Sequence, residues 1–198
     1  MTYNPEKHHR HSIRFKGYDY SQTGAYFVTI CTQNRKCLFG AIVNGKIALN
    51  ELGGVIEKIW KEIPLYYSGI DIDEFVVMPN HIHGIILIVG ADPCVCPIKS
   101  NDIGRTQGFA PTEKLSLSNV VQRFKSLTTK KYIDGIKQNN WQTFNKRLWQ
   151  RNYYEHIIRN EDELNRIRKY IQINLLKWQF DRENPDRIKD RFYQEEWE

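Results

Sequence analysis

Two short groups of residues have the side chains and spacing of a metal-assisted nucleophile. His81 and His83 lie two positions apart in a run of β-branched and aliphatic residues, a pattern that predicts a strand. Because side chains alternate across a strand, both imidazoles face one side and can hold a divalent ion while leaving coordination positions open. Tyr170 and Asn174 lie four apart in a helical pattern, so a metal or phosphate can meet the phenol and the amide together.

Each group taken alone also has a purely structural interpretation. The histidines can be polar residues at the mouth of a buried strand, and Tyr170 can be an edge tyrosine of an amphipathic helix. The residues that follow the histidines favour a role for them, since the run 85–89 is apolar on both faces. Such a run predicts a central strand, where imidazoles without partners are costly.

The elements that must position these residues form a mixed pattern of strands and helices. Periodicity predicts strands at 25–32, 41–49, 70–78 and 81–89, a short strand near Leu148, and helices at 51–63, 118–133 and 161–176. This order predicts an α+β fold, with an antiparallel sheet and helices packed mainly on one face.

Four landmarks in this order resemble the HUH tyrosine transposases of the IS200-like type, and more closely their REP-associated branch. They are the opening residues 10–32, the motif at 78–83, the block at 149–156 and the segment 170–174. The resemblance implies a ferredoxin-like sheet with the histidine motif on a central strand. It also implies one catalytic domain over 1–198, with a surface loop insertion at 90–112 and a charged tail from about 181. The family commonly continues Asn-Pro, where this chain has Asn174-Leu175.

The resemblance also implies a role for each residue of the two groups. It places Mg²⁺ or Mn²⁺ on His81, His83 and Asn174, although IS200-like relatives often use Gln as the third ligand. It makes Tyr170 the nucleophile that attacks single-stranded DNA near a hairpin, leaving a 5′-phosphotyrosine and a free 3′-hydroxyl. A free tyrosine has a pKa of about 10, so its phenolate needs stabilisation by cations.

The charge of the chain suits a polyanionic partner. The formal net charge is +6, and basic residues cluster in an amino-terminal arm, a predicted helix, an aromatic-rich stretch and the tyrosine helix. Solvated surface charge is the structural alternative, and His156 is equally open to a packing role. The candidate DNA contacts are Arg10, Arg14, Lys16, Arg123, Lys125, Lys130, Arg151, Tyr154, His156, Arg166 and Lys169.

Length and motifs limit the alternatives. A chain of 198 residues can bury one core but is short for a metal-dependent barrel, and a second His-x-Ser/Thr motif of the 2H phosphoesterases is absent. The four cysteines match no zinc spacing. With no apolar run of bilayer length and no secretion signal, the sequence predicts a cytoplasmic protein without a membrane partner.

Three functions remain open from the sequence. The first is an enzyme that cuts and rejoins single-stranded DNA beside a hairpin. The second is a domesticated, inactive regulator that binds the hairpin, and the third is a metal nuclease that uses water and buries Tyr170 in its core. The resemblance leaves both a homodimer and a monomer open.

Overall fold

The computed structural model describes residues 17–89 and 115–188. Its strands are β1 (Gly24–Cys31), β2 (Gly40–Val43), β3 (Lys46–Leu49), β4 (Ile70–Val77), β5 (His81–Ile88) and β6 (Tyr154–Ile158). Its α-helices are α1 (Glu51–Lys61), α2 (Ile63–Tyr66), α3 (Leu117–Asn139) and α4 (Glu161–Ile173), and a 3₁₀ helix (Asn174–Phe180) follows α4.

Four of the strands form one antiparallel sheet in the spatial order β4-β5-β1-β6. Along the chain, these strands and the helices between them follow the order β1, helix, β4, β5, helix, β6. This is the βαββαβ order of a ferredoxin-like domain. The predicted fold class is therefore confirmed. The histidine strand β5 lies between β4 and β1, so it is central, as the two-sided apolar run 85–89 predicts.

The two faces of the sheet carry separate cores. The larger core joins α1 and α3 to one face and includes Tyr26, Trp60 and Phe124. On the opposite face, residues of β1, β5 and β6 pack against Ile167 and Ile171 of α4. Because side chains alternate along β5, the two histidines share the α4 face. The 3₁₀ helix and the residues after it also reach this face, where the ring of Trp178 lies 6.1 Å from that of His81.

Three elements differ from the sequence prediction. The predicted strand 41–49 is a hairpin of β2 and β3, turned at Asn44-Gly45 with φ of 51° and 72°. The strand near Leu148 is reduced to a single bridge between Thr32 and Trp149. β6 was not predicted, because its five residues give too short an alternation to stand out.

Some predictions fall on residues that the structure does not describe. Arg10, Arg14, Lys16 and the whole 90–112 insertion lie outside the described ranges. Among the residues that are described, no helix has the length and apolarity needed to cross a membrane.

A substitution at Gly84 tests how tightly β5 packs next to the histidines. A Cβ at Gly84 would lie 2.3 Å from Cζ2 of Trp60, which is fully buried, so Gly84→Ala is expected to destabilise the fold by about 1–3 kcal/mol. Gly54 is the matched control, since a Cβ there meets nothing within 4 Å. In helix α1, Gly54→Ala should stabilise the protein by about 0.5–1 kcal/mol. Urea unfolding measures the free energy of unfolding of both variants. A change of the same sign in both would contradict the tight packing at Gly84.

Candidate metal centre and tyrosine

The two imidazoles of β5 converge on one point beneath α4. His81 is 0% exposed and His83 is 4% exposed, and their Nε2 atoms lie 3.0 Å apart. Each ring is held by its other nitrogen: Nδ1 of His83 lies 2.8 Å from Oγ1 of Thr29, and Nδ1 of His81 lies 2.7 Å from Oδ1 of Asn80. The rings are therefore fixed with both Nε2 atoms facing the same space.

The amide of Asn80 determines which nitrogen of His81 carries a proton. Its Nδ2 donates to the carbonyl oxygens of Arg35 at 2.9 Å and Glu183 at 2.7 Å. Because carbonyl oxygens only accept, the NH₂ group must face them and Oδ1 must face His81. Nδ1 of His81 then donates to Asn80, and Nε2 of the neutral ring presents a lone pair to the site.

Burial keeps both imidazoles neutral. Desolvation lowers the pKa of His83 to about 3 and holds the pKa of His81 well below its usual value, with a smaller contribution from His83. At neutral pH the pair therefore offers two nitrogen ligands without proton release. This is the protonation state that a metal ion requires.

Helix α4 carries the tyrosine to the imidazole pair. Asn160 caps its first turn by accepting from the backbone N–H of Glu163 at 2.9 Å, and acidic residues at 161–163 suit the helix dipole. The hydroxyl of Tyr170 lies 3.5 Å from Nε2 of His83, and its ring packs edge-on against Phe27. The structure thus brings one residue of each predicted group, Tyr170 and His83, next to each other.

Asn174 ends α4 one turn beyond Tyr170. It keeps helical backbone angles where the chain tightens into the 3₁₀ helix, and its side chain is buried. Among the described residues, its Oδ1 accepts no hydrogen bond. A buried oxygen without a donor suits a cation ligand, and the ligand role of Asn174 stays a prediction.

The segment after the 3₁₀ helix brings a carboxylate that the sequence analysis missed. Asp181 is buried, and its Oδ2 lies 3.6 Å from Nε2 of His81. The ligand atoms of His81, His83 and Asp181 all lie within 4.8 Å of one another, so this group could hold a metal ion. The sequence prediction assigns Asp181 to a charged tail, whereas the chain folds back there and buries both Asp181 and Asn184.

An ion pair docks α4 on the sheet. Arg168 donates from Nε and Nη2 to both carboxylate oxygens of Asp73 on β4, at 3.0 and 2.6 Å. The hydrogen bonds from Arg168 hold the pKa of the Asp73 carboxyl below its usual value. This Arg168–Asp73 ion pair, called the clamp below, fixes the rotation of α4 and with it the direction of Tyr170.

This clamp gives a pH-dependent contribution to stability. A carboxyl whose pKa is lowered by folding stabilises the fold above its unfolded pKa of about 3.9, and the effect is lost as pH falls through the folded value. At pH 7, Asp73→Asn is expected to lose about 1 kcal/mol, and the difference from wild type should narrow below about pH 4. Urea unfolding at both pH values measures this. Asp71→Asn, at an exposed position of the same strand, is the control, and a pH-independent loss at Asp73 would contradict the clamp.

Only part of the predicted DNA-contact set lies near the imidazole pair. Tyr154 and His156 line the same cavity as His83 and Tyr170, and His156 also lies 2.7 Å from Oε1 of Glu163. The cavity measures about 480 Å³. Its lining residues are Phe27, Thr29, Cys31, Arg35, His83, Gln150, Asn152, Tyr153, Tyr154, His156, Ile167, Tyr170, Asp181, Arg182 and Glu183.

The remaining basic candidates lie elsewhere on the surface. Lys130 and Arg151 line a groove along α3, and Arg166 and Lys169 are exposed on α4. Arg123 lies over the rings of two tyrosines at 66 and 67. Lys125 lines the same groove and donates to the backbone carbonyls of residues 150–152 at 3.0, 3.4 and 3.1 Å.

Fold and site together define an α+β domain with a candidate metal centre beside a helical tyrosine. Residues 109–174 match the family model described as "Transposase IS200 like", a stretch that includes Tyr170 and ends at Asn174. The match agrees with the IS200-like transposase family that the four landmarks predict. This match supports a transposase-type function for the chain. The histidine pair lies outside the matched residues, so its role is argued from the geometry.

Two individual proteins are similar over most of the chain. An uncharacterized protein of Haemophilus influenzae Rd is 41% identical over 181 residues, which cover 90% of this chain and 95% of that protein. Among solved structures, a REP-associated tyrosine transposase bound to a REP hairpin gives a TM-score of 0.48 at 20% identity. That match covers 84% of this chain and 74% of the other.

Proposed function

We propose that this protein is a metal-dependent single-stranded DNA endonuclease and strand transferase of the REP-associated branch. It cuts near DNA hairpins through a 5′-phosphotyrosine on Tyr170. The observation that carries the proposal is the approach of the Tyr170 hydroxyl to 3.5 Å from Nε2 of His83. A core tyrosine needs no such neighbour, whereas a nucleophile must lie within reach of the groups that stabilise its phenolate.

The donor atoms suit a divalent cation. The Nε2 atoms of both imidazoles face one space, and the oxygen of Asn174 is buried without a donor among the described residues. We assign His81, His83 and Asn174 as ligands of Mg²⁺ or Mn²⁺. When bound, the ion would polarise the scissile phosphate and offset its developing negative charge.

The reaction is a transesterification: one phosphate ester bond forms for each one that breaks. It therefore needs no external energy source. The phenolic oxygen of Tyr170 attacks the phosphorus, the bond to the 3′ oxygen breaks, and that oxygen leaves with a proton as a free hydroxyl. The new phosphotyrosine keeps the phosphodiester, so the 3′-hydroxyl of another strand can attack it and release Tyr170. Exposed Arg166 and Lys169 on the same helix supply positive charge for the DNA backbone.

The surface offers a path for the DNA strand. The α3 groove of about 1110 Å³ and the cavity at Tyr170 share Gln150 and Tyr153 in their linings, so they are neighbours. We propose that Lys130 and Arg151 in the groove contact phosphates. Tyr154, which is 46% exposed at the cavity, stacks on an unpaired base. Lys125 holds the 150–152 backbone that joins the two regions.

One chain is enough to build this site. Tyr170 and His83 approach each other within a single copy, so cleavage needs no exchange of the tyrosine helix with a second copy. This arrangement is compatible with both a monomer and a homodimer, and we propose that the protein acts on DNA in the cytoplasm.

The test is an incubation of the protein with Mn²⁺ and a single-stranded oligonucleotide carrying the hairpin from the flanks of its own gene. We expect a covalent protein–DNA adduct on a denaturing gel and a shortened strand ending in a 3′-hydroxyl. Hairpin binding without an adduct, with both Mn²⁺ and Mg²⁺ and several flanks, would overturn the proposal in favour of an inactive regulator.

A further inference from the structure

We infer that Asp181 supplies an anionic oxygen ligand to the metal on His81 and His83. This inference rests on the proposed function and adds a ligand from outside the tyrosine helix. Oδ2 of Asp181 lies 3.6 Å from Nε2 of His81, and the three candidate ligand atoms lie within 4.8 Å of one another. Nitrogen and oxygen ligands about 2 Å from a shared ion have mutual separations of this order.

The orientation of the carboxylate supports ligation. Oδ1 of Asp181 accepts the backbone N–H of Glu183 at 2.6 Å, which directs Oδ2 to the imidazole pair. Since Asn80 fixes the lone pair of His81 on Nε2, two electron-rich atoms face each other across 3.6 Å. Such atoms repel unless a cation lies between them.

Asn80 ties this carboxylate to the histidine motif. One side-chain amide orients His81 through Oδ1 and holds the carbonyl of Glu183, two residues after Asp181, through Nδ2. Arg35 adds a second tie, donating from Nε to Oε2 of Glu183 at 2.8 Å. The segment that carries Asp181 is therefore anchored at the site by contacts that leave the carboxylate directed inward.

The metal preferences of nitrogen and oxygen ligands explain why a carboxylate is useful at this site. Two imidazoles alone suit softer ions such as Zn²⁺, whereas Mg²⁺ and Mn²⁺ prefer carboxylate and carbonyl oxygens. A negative oxygen beside two neutral nitrogens raises the affinity for a hard divalent ion and leaves a net positive charge for the phosphate. Asp181 thus sets both the strength and the selectivity of the site.

The experiment is Mn²⁺ binding in the absence of DNA, measured on the full chain by calorimetry and by the loss of the free Mn²⁺ EPR signal. Asp181→Asn should weaken Mn²⁺ binding at least about tenfold. Asp186→Asn makes the same charge change at an exposed position of the same segment, and it should stay within about twofold of wild type. Of the two carboxylates, that of Asp181 is buried beside the imidazoles and that of Asp186 is exposed.

His81→Ala separates failure of this inference from failure of the proposed function. If Asp181→Asn binds Mn²⁺ like wild type while His81→Ala does not, Asp181 is no ligand but the histidine site stands. If neither substitution changes Mn²⁺ binding, the metal centre and the inference both fail. If Asp181→Asn does not fold, a crystal of the wild type with Mn²⁺ decides by the anomalous peak. A peak about 2 Å from a carboxylate oxygen of Asp181 supports ligation, and a peak on the histidines with Asp181 turned away overturns it.

Discussion

Tyr170→Phe is expected to remove the covalent protein–DNA adduct entirely and to lower the cleavage rate at least about 1,000-fold. The substitution deletes one oxygen, the atom that lies 3.5 Å from Nε2 of His83, and keeps the ring that packs against Phe27. Folding and hairpin affinity should therefore stay close to wild type. Denaturing gels report the adduct, product analysis reports cleavage, and a filter-binding assay reports hairpin affinity.

Tyr66→Phe is the matched control for this result. Tyr66 is 45% exposed on α2, and its hydroxyl donates only to Glu62, at 3.1 Å. The loss of this hydroxyl should leave both adduct and cleavage unchanged. Cleavage that survives Tyr170→Phe, with a product that never links to protein, would instead identify a nuclease that uses water.

His81→Ala should abolish cleavage while leaving hairpin binding largely intact. His81 is fully buried and reaches the site only through Nε2, so the substitution removes a metal ligand without removing surface that DNA can touch. Loss of a ligand should cost at least about 100-fold in rate, since the phosphate then loses charge stabilisation. Single-turnover cleavage and hairpin binding, measured on the same preparation, separate the two effects.

His156→Ala is the contrasting variant for His81→Ala. His156 lines the same cavity but stands on β6, 38% exposed at its side chain and bonded to Glu163. It should weaken hairpin binding and leave Mn²⁺ binding unchanged. If His81→Ala reduced hairpin binding as strongly as cleavage, the metal and binding roles would not be separate. Circular dichroism and melting curves must accompany both variants, because His81→Ala leaves the amide oxygen of Asn80 without its donor.

The histidine strand and the tyrosine helix could be predicted from the sequence because each is encoded by local periodicity. Alternation in the run from His81 places both imidazoles on one face, and a spacing of four places Asn174 one turn beyond Tyr170. The apolar run 85–89 indicated a central strand, and the structure places β5 between β4 and β1. The fold class follows from the order of these elements.

The tertiary structure decided how residues distant in sequence meet. Asp181 lies 100 positions after His81, and only the return of the chain behind α4 brings its carboxylate to 3.6 Å from the ring. The same return lets Asn80 bond the carbonyl of Glu183. Lys125 stays a predicted DNA contact, and the packing decides that its ammonium also donates to backbone carbonyls of residues 150–152. Local periodicity in a sequence predicts the face of a strand or helix on which a side chain lies. It does not predict the partner of that side chain, because the partner depends on how distant elements pack together.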